Sequence, residues 1–288
     1  IGAYAFNGTP NFYGVFHVPS KLKEINAFIF GGLGSNGSFT GQIEIPQGVT
    51  EIPSAPFSVA LKNRVDLTIP AGVKKIGSSG FVGLKLSSLK LNDDLEQIGE
   101  AAFEGSSIPF QIELPNNLQS IGKQAFGWCG LEGELVIPES CLSIGTRAFI
   151  FCDLTKITLP SKLEQIQAEA LSCLGRLKEI TIPKYVDYIG DYAFAADGAL
   201  QTMICLNPEP PTLGINPFGP GGGWGWENGS VDFDKCVLQV PEQSVELYRN
   251  TDGWNQFKNI TAYRELAFNV PDIVAMDKGT TRSGILRA

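Results

Sequence analysis

A single histidine, His17, stands among the 288 residues. One imidazole excludes every mechanism that needs two: His-rich zinc sites, the H-E-x-x-H metalloprotease helix and paired-histidine relays. The six cysteines include no C-x-x-C spacing, so zinc and dithiol redox readings have no pattern behind them. Positive charge is also scarce. Lys and Arg number 22 against 30 Asp and Glu, a net charge of −8, and no Lys/Arg-rich run occurs. That balance argues against sequence-independent binding to nucleic acid or to an anionic membrane, both of which need cations to displace counterions. No apolar run reaches the roughly 18 residues of a membrane-spanning helix. The chain opens Ile1-Gly2-Ala3-Tyr4, with no basic-then-apolar leader, so a signal peptide, if the gene encodes one, is expected to lie outside this chain.

What the sequence has in plenty is punctuation: 33 glycines and 18 prolines, beside a hydrophobic share of 43% that is enough for a packed core. Many short elements separated by turns are expected. Self-similarity explains the punctuation. Leu177-Lys178-Glu179-Ile180-Thr181-Ile182-Pro183, followed by Val186-Asp187-Tyr188-Ile189-Gly190-Asp191-Tyr192-Ala193-Phe194, matches Ile112-Glu113-Leu114-Pro115 followed by Leu118-Gln119-Ser120-Ile121-Gly122-Lys123-Gln124-Ala125-Phe126. The aromatic slot recurs at Phe6, Phe30, Phe57, Phe81, Phe103, Phe126, Phe149, Leu171 and Phe194, in steps of 22 to 27 residues. Prolines 19, 46, 70, 115, 138, 160 and 183 keep the same beat, with Asn92 in that slot once.

Each part of the unit has a physical reading. Ile-x-Ile-Pro alternates as a half-buried strand does, and proline ends it because it cannot donate to a ladder. The Leu/Val-x-x-Ile-Gly segment puts two more apolar residues inside, and its glycine is expected to permit a sharp bend. Ala-Phe fits one helical or 3₁₀ turn with the ring in the interior. A unit of this size cannot bury its own apolar face, so units must stack into a solenoid.

The consensus L-x-x-I-x-L-P-x-x-L-x-x-I-G-x-x-A-F-x-x-C resembles the leucine-rich repeat of the BspA-like surface proteins. Ala125-Phe126-Gly127-Trp128-Cys129 and Ala148-Phe149-Ile150-Phe151-Cys152 carry its last portion residue for residue. The first three units depart most: Ile25-Asn26 and Ile52-Pro53 lack the glycine, and Gly31-Gly32-Leu33-Gly34 belongs to an extra loop. The fold class expected is a right-handed leucine-rich-repeat solenoid of about nine units over residues 1–206, a Gly/Trp-rich insertion and C-terminal cap over 207–263, and a tail of unknown role over 264–288. At about 4.8 Å per stacked strand the repeats run about 40 Å. Cys205-Leu206-Asn207-Pro208, Val240-Pro241 and Ser244 to Trp254 resemble the closing cap of the same proteins, with Val245, Tyr248 and Trp254 available to cover the open end of the core.

Candidate chemistry is sparse. Cys129 and Cys152 share one slot of adjacent units, which allows either a ladder of buried thiols or a bridge across about 5 Å. His17 alternates with Phe16 and Val18 and is expected on a solvated strand face, with no G-x-S-x-G or phosphate-loop pattern around any partner. Glu44, Glu113, Glu134 and Glu179 fall on an open sheet that would not raise a carboxyl pKa as a general acid requires. The outward row His17, Glu44, Thr68, Lys90, Glu113, Val136, Thr158, Thr181 and Ile204, beside a second row that includes Glu134, Lys156, Glu179 and Gln201, is the candidate binding face. Trp224 and Trp226, in Gly221-Gly222-Gly223-Trp224-Gly225-Trp226, either seal the core end or contact a partner.

The expected function is a non-catalytic binding or adhesion module without cofactor or metal. The resemblance implies a secreted or cell-surface bacterial location and an extracellular or host-surface protein partner. The alternative is glycan recognition through the tryptophan loop.

Overall fold

Alternation builds one side of every coil. In Val65–Thr68, Val65 and Leu67 point into the core while Asp66 stays outside, the pattern of a strand with one buried face. The computed structural model describes residues 16–17, 41–45, 47–54, 64–220 and 229–264. It shows a parallel β-solenoid of about nine turns with little helix. Long strands from successive coils pair in parallel as three ladders. The first joins Phe16–His17, Gly41–Glu44, Val65–Thr68 and Leu86–Lys90. The second joins Glu132–Val136 and Asp153–Thr158, and the third Glu179–Ile182, Thr202–Cys205, Val237–Pro241 and Asn259–Tyr263. Proline ends the strand and opens the next turn: the carbonyls of Pro115, Pro138, Pro160 and Pro183 accept from Leu118, Cys141, Leu163 and Val186 at 2.9–3.1 Å.

Two-residue strands form the second side. Glu51–Ile52, Lys75–Ile76, Gln97–Ile98, Ser120–Ile121 and Ser143–Ile144 make one ladder, and Gln165–Ile166, Tyr188–Ile189 and Thr212–Leu213 another. The glycine after each isoleucine acts differently from the expectation. It is needed for close approach between coils rather than for a bend. A Cβ on Gly122 would sit 2.5 Å from the Gly99 carbonyl carbon, and one on Gly145 2.5 Å from the Lys123 nitrogen. With no side chain in the way, Gly99, Gly122, Gly145 and Gly190 donate to Ile76, Ile98, Ile121 and Ile166 of the preceding coil at 2.7–2.9 Å.

The third side is a stack of tight turns. Phe81, Phe103, Phe126 and Phe149 are fully buried and stack with centroids 5.3–5.6 Å apart, which adds to their burial energy. Left-handed backbone recurs in each turn at Ser79, Ala101, Gln124, Arg147, Glu169, Tyr192 and Asn216, with φ between 44° and 59°, and again four residues after the first six of these, at Gly83, Gly105, Trp128, Phe151, Cys173 and Ala196. Such geometry costs a residue with a Cβ about 1 kcal/mol or more. The stack offsets that cost with hydrogen bonds, because the amides of Ser79, Ala101, Gln124, Arg147, Glu169 and Tyr192 each donate to the next coil at 2.7–3.0 Å.

One coil breaks the plan on both sheet sides. Residues 153–173 carry Gln167 in the glycine slot and Leu171 in the phenylalanine slot. Gln167 makes no bond to Ile144, and the short-strand ladder is interrupted there. On the long-strand side the same coil pairs backward with Glu132–Val136 and not forward with Glu179–Ile182. The two strands are entered differently. Asp153–Thr158 follows Cys152 directly and has a register shift between Leu154 and Lys156, whereas Glu179–Ile182 follows an added turn closed by Leu177 donating to Leu174. Only the turn side runs through unbroken, with Phe149 donating to Ala170 and Leu171 to Ala193 at 3.1 Å.

The coils continue past residue 206, into the stretch expected to hold only insertion and cap. Thr212–Leu213 extends the short ladder, and Phe218 takes a further aromatic slot, 6.0 Å from Phe194. The α-helix Val245–Asn250 then closes the core. Trp254 and Tyr248 are fully buried, Trp254 Nε1 donating to Pro211 O at 2.9 Å and Tyr248 Oη to Asn207 O at 2.8 Å. Val245 packs partly buried against the same core, as the cap reading expects. Edge-on contacts among Phe218, Phe233, Trp254 and Phe257 replace the parallel stack at this end.

Candidate binding face and cleft

The long strands hold the residues of the candidate row in Cα register. His17 pairs with Glu44, Glu44 with Thr68 and Thr68 with Lys90. Val136 pairs with Thr158, and Thr181 with Ile204, from which the row extends to Gln239 and Thr261. Lys90, Glu113, Val136 and Thr158 are exposed, Val136 by 62%, while Thr68 and Thr181 are half-buried. The row is divided: Glu113 lies on a segment without strand pairing, between the first and second ladders. In the second row Glu134 meets Lys156, with Nζ and Oε2 3.9 Å apart. Glu179 meets Thr202, one residue later than the expected Gln201. Trp224 and Trp226 lie outside the described residues.

The cysteines take the thiol alternative. Cys129 and Cys152 are buried and free, their sulfurs 3.8 Å apart, and Cys152 Sγ donates to Phe126 O at 3.2 Å. Ser106 fills the same slot and bonds in the same way, donating to Phe81 O at 2.6 Å and accepting from Leu84 N at 3.1 Å. Burial pushes the Cys152 thiol well up, and it pushes Cys141, Cys205 and Cys236 to about 11. Such thiols are poor nucleophiles near neutrality. Asp197 occupies that slot after the irregular coil. It is fully buried, with Oδ1 accepting from Leu174 N at 2.6 Å and Oδ2 unpartnered. Burial raises its pKa well above the usual 3.8, because desolvation favours the neutral acid. Among the described residues no cluster of His, Cys, Asp and Glu is arranged to hold a metal ion.

Two features escaped the sequence reading. Trp128, 41% exposed, stacks on Phe151 of the next coil at 5.8 Å. Its place inside the repeat motif hid it, although its neighbours Gly127 and Cys129 fill the inward slots. The second is a cleft of about 760 Å³ where Asp153–Thr158 and Glu179–Ile182 fail to pair. Ile157, Leu159, Pro183 and Leu206 form its apolar floor, and Lys156, Lys178, Lys184, Glu134 and Glu179 bring charge to it. Tyr185 stands 58% exposed at its edge, with Lys184 Nζ 5.9 Å from the ring centre. A second, more polar cleft of about 550 Å³ lies on the short-strand side, beside Gln167.

Comparison with known proteins agrees with this architecture. The model of the BspA type leucine-rich repeat region matches six copies over residues 1–109 and 110–209. No curated protein matches the chain. Among solved structures, a leucine-rich cell surface protein from Faecalibacterium prausnitzii is 22% identical with a TM-score of 0.40, over 67% of this chain and 62% of that one. The chain therefore spans less than two thirds of that protein's length. The pneumococcal vaccine antigen PcpA is 17% identical over 79% and 90% of the two chains, with a TM-score of 0.32. A leucine-rich repeat protein from Bacteroides ovatus is 19% identical over 92% and 87%, with a TM-score of 0.30.

Proposed function

The chain belongs to the BspA type leucine-rich repeat family, and we propose that it is a non-catalytic extracellular module that presents its long-strand face to a protein on a host cell or in its matrix. The observation that carries this reading is the register of the outward row. Lys90, Glu113, Val136 and Thr158 project from successive coils as exposed side chains on a fixed backbone, a surface whose ordering is already complete before a partner arrives. A bacterial secreted or cell-surface location goes with the reading. No helix among the described residues is long and apolar enough to cross a membrane.

Binding to a panel of immobilised matrix and cell-surface proteins tests it. At least one should bind, and charge-reversed or enlarged side chains at Lys90, Val136 and Thr158 should weaken that binding at least tenfold without lowering the melting temperature. Binding that ignores all three substitutions would sink the reading. Glycan recognition through Trp224 and Trp226 remains the second reading; replacing both with alanine should then abolish polysaccharide binding.

A further inference from the structure

The cleft between Asp153–Thr158 and Glu179–Ile182 has the features of a small-ligand site, and we propose that it binds an acidic, uronic-acid-bearing oligosaccharide. Its volume of about 760 Å³ falls in the range of about 300–1,000 Å³ usual for such sites. Three kinds of group converge there. The floor of Ile157, Leu159, Pro183 and Leu206 is apolar, and Tyr185 adds an exposed ring at the edge. An apolar lining beside an exposed aromatic ring suits the C–H face of a pyranose. The hydroxyls of Thr158 and Thr181 line the walls and have no side-chain partner among the described residues, which leaves both to bond sugar hydroxyls.

Charge decides the class of sugar. Lys156, Lys178 and Lys184 outnumber Glu134 and Glu179 in the cleft, whereas the whole chain carries −8. The Lys156–Glu134 contact is 3.9 Å long with both side chains more than 60% exposed, so it is weak and easily exchanged for a ligand carboxylate. The geometry disfavours an acidic peptide added as a strand. Residues of the two bordering strands approach within 8 Å, Cα to Cα, and an inserted strand needs roughly 9.6 Å, twice the strand spacing.

The site shares Thr158 and Thr181 with the proposed protein-binding row but does not depend on a protein partner. Calorimetric titration with tetragalacturonate, cellotetraose and a pentaglutamate peptide tests it. Tetragalacturonate should bind at least tenfold more tightly than the other two. Tyr185→Ala and the double variant Lys178→Met/Lys184→Met, all at exposed positions, should each weaken it at least tenfold, and added salt should weaken it further. Lys90→Met, on the same face but outside the cleft, should leave it unchanged and so separates this site from the protein-binding row. Absence of binding by tetragalacturonate, binding indifferent to Tyr185→Ala, or equal binding of pentaglutamate would each overturn the proposal.

Discussion

The coils between Lys75 and Phe151 and the single coil from Asp153 to Cys173 follow one plan, and the second exposes what each slot of that plan does. In the regular coils glycine admits the neighbouring backbone and a ladder forms; phenylalanine stacks on phenylalanine. In the irregular coil Gln167 brings a side chain to the glycine slot, and the short ladder opens there. Leu171 stays buried, but the ring stack stops at Phe149 and resumes only between Phe194 and Phe218. The turn-side hydrogen bonds hold through both regions. The core thus stays sealed while the surface opens on both sheet sides, beside Gln167 on the short-strand side and, on the long-strand side, where the added turn closed by Leu177 precedes Glu179–Ile182.

Removal of a ring should have the largest effect. Phe126→Ala leaves a cavity inside the stack and should cost about 3–5 kcal/mol. Phe126→Leu copies the residue the irregular coil already uses and should cost only about 1 kcal/mol. Equal losses for the two, measured by denaturant unfolding, would mean that leucine cannot stand in for the ring at this slot.

The glycine slot should rank next. Gly122→Ala drives a Cβ into backbone at 2.5 Å and should cost about 1–3 kcal/mol. Gln167→Ala, where the ladder is already open, should stay within about 0.5 kcal/mol. Comparable costs at both positions would break the comparison.

The slot of Ser106, Cys129 and Cys152 sharpens the contrast through pH. In that slot the buried Asp197 holds its proton to higher pH in the folded chain than in the unfolded one. Its folded pKa lies above the unfolded value of 3.8, so the folded chain binds more protons above about pH 4. Stability should be full below that pH and fall as pH rises, by at most about 1.4 kcal/mol per pH unit. Asp197→Asn should flatten this fall and stabilise the protein at pH 7. A pH profile unchanged in the variant would contradict the assignment.

The smallest effect concerns ion pairs. Arg147–Glu169, at 2.6 Å and 32% and 21% exposed, braces the junction where the short ladder opens; Lys123–Glu100, 51% and 55% exposed, crosses a closed one. Glu169→Gln should cost about 0.5–1 kcal/mol and Glu100→Gln almost nothing. A larger loss at Glu100 would show that the brace is not special.

Much of this fold is legible in the chain because the slots are chemically distinct: proline after a strand, glycine after isoleucine, phenylalanine after alanine. Tyr248 and Trp254 could be assigned to the cap because large rings beside the last strand have only the open core end to cover. Phe218 is hidden in the sequence because Pro217 replaces the alanine before it and a glycine run follows. The ladder openings depend on what a Cβ meets in the neighbouring coil, a distance that sequence spacing does not contain. Tyr185 and the lysines around it therefore read as ordinary surface until the strands beside them are seen to part.

Amide hydrogen exchange resolved by residue tests most directly whether glycine at this slot keeps the coils laddered. The amides of Gly99, Gly122, Gly145 and Gly190 should be strongly protected, because each donates to the preceding coil, while Gln167 should exchange orders of magnitude faster. Protection of Gln167 equal to that of Gly145 and Gly190 would contradict the account.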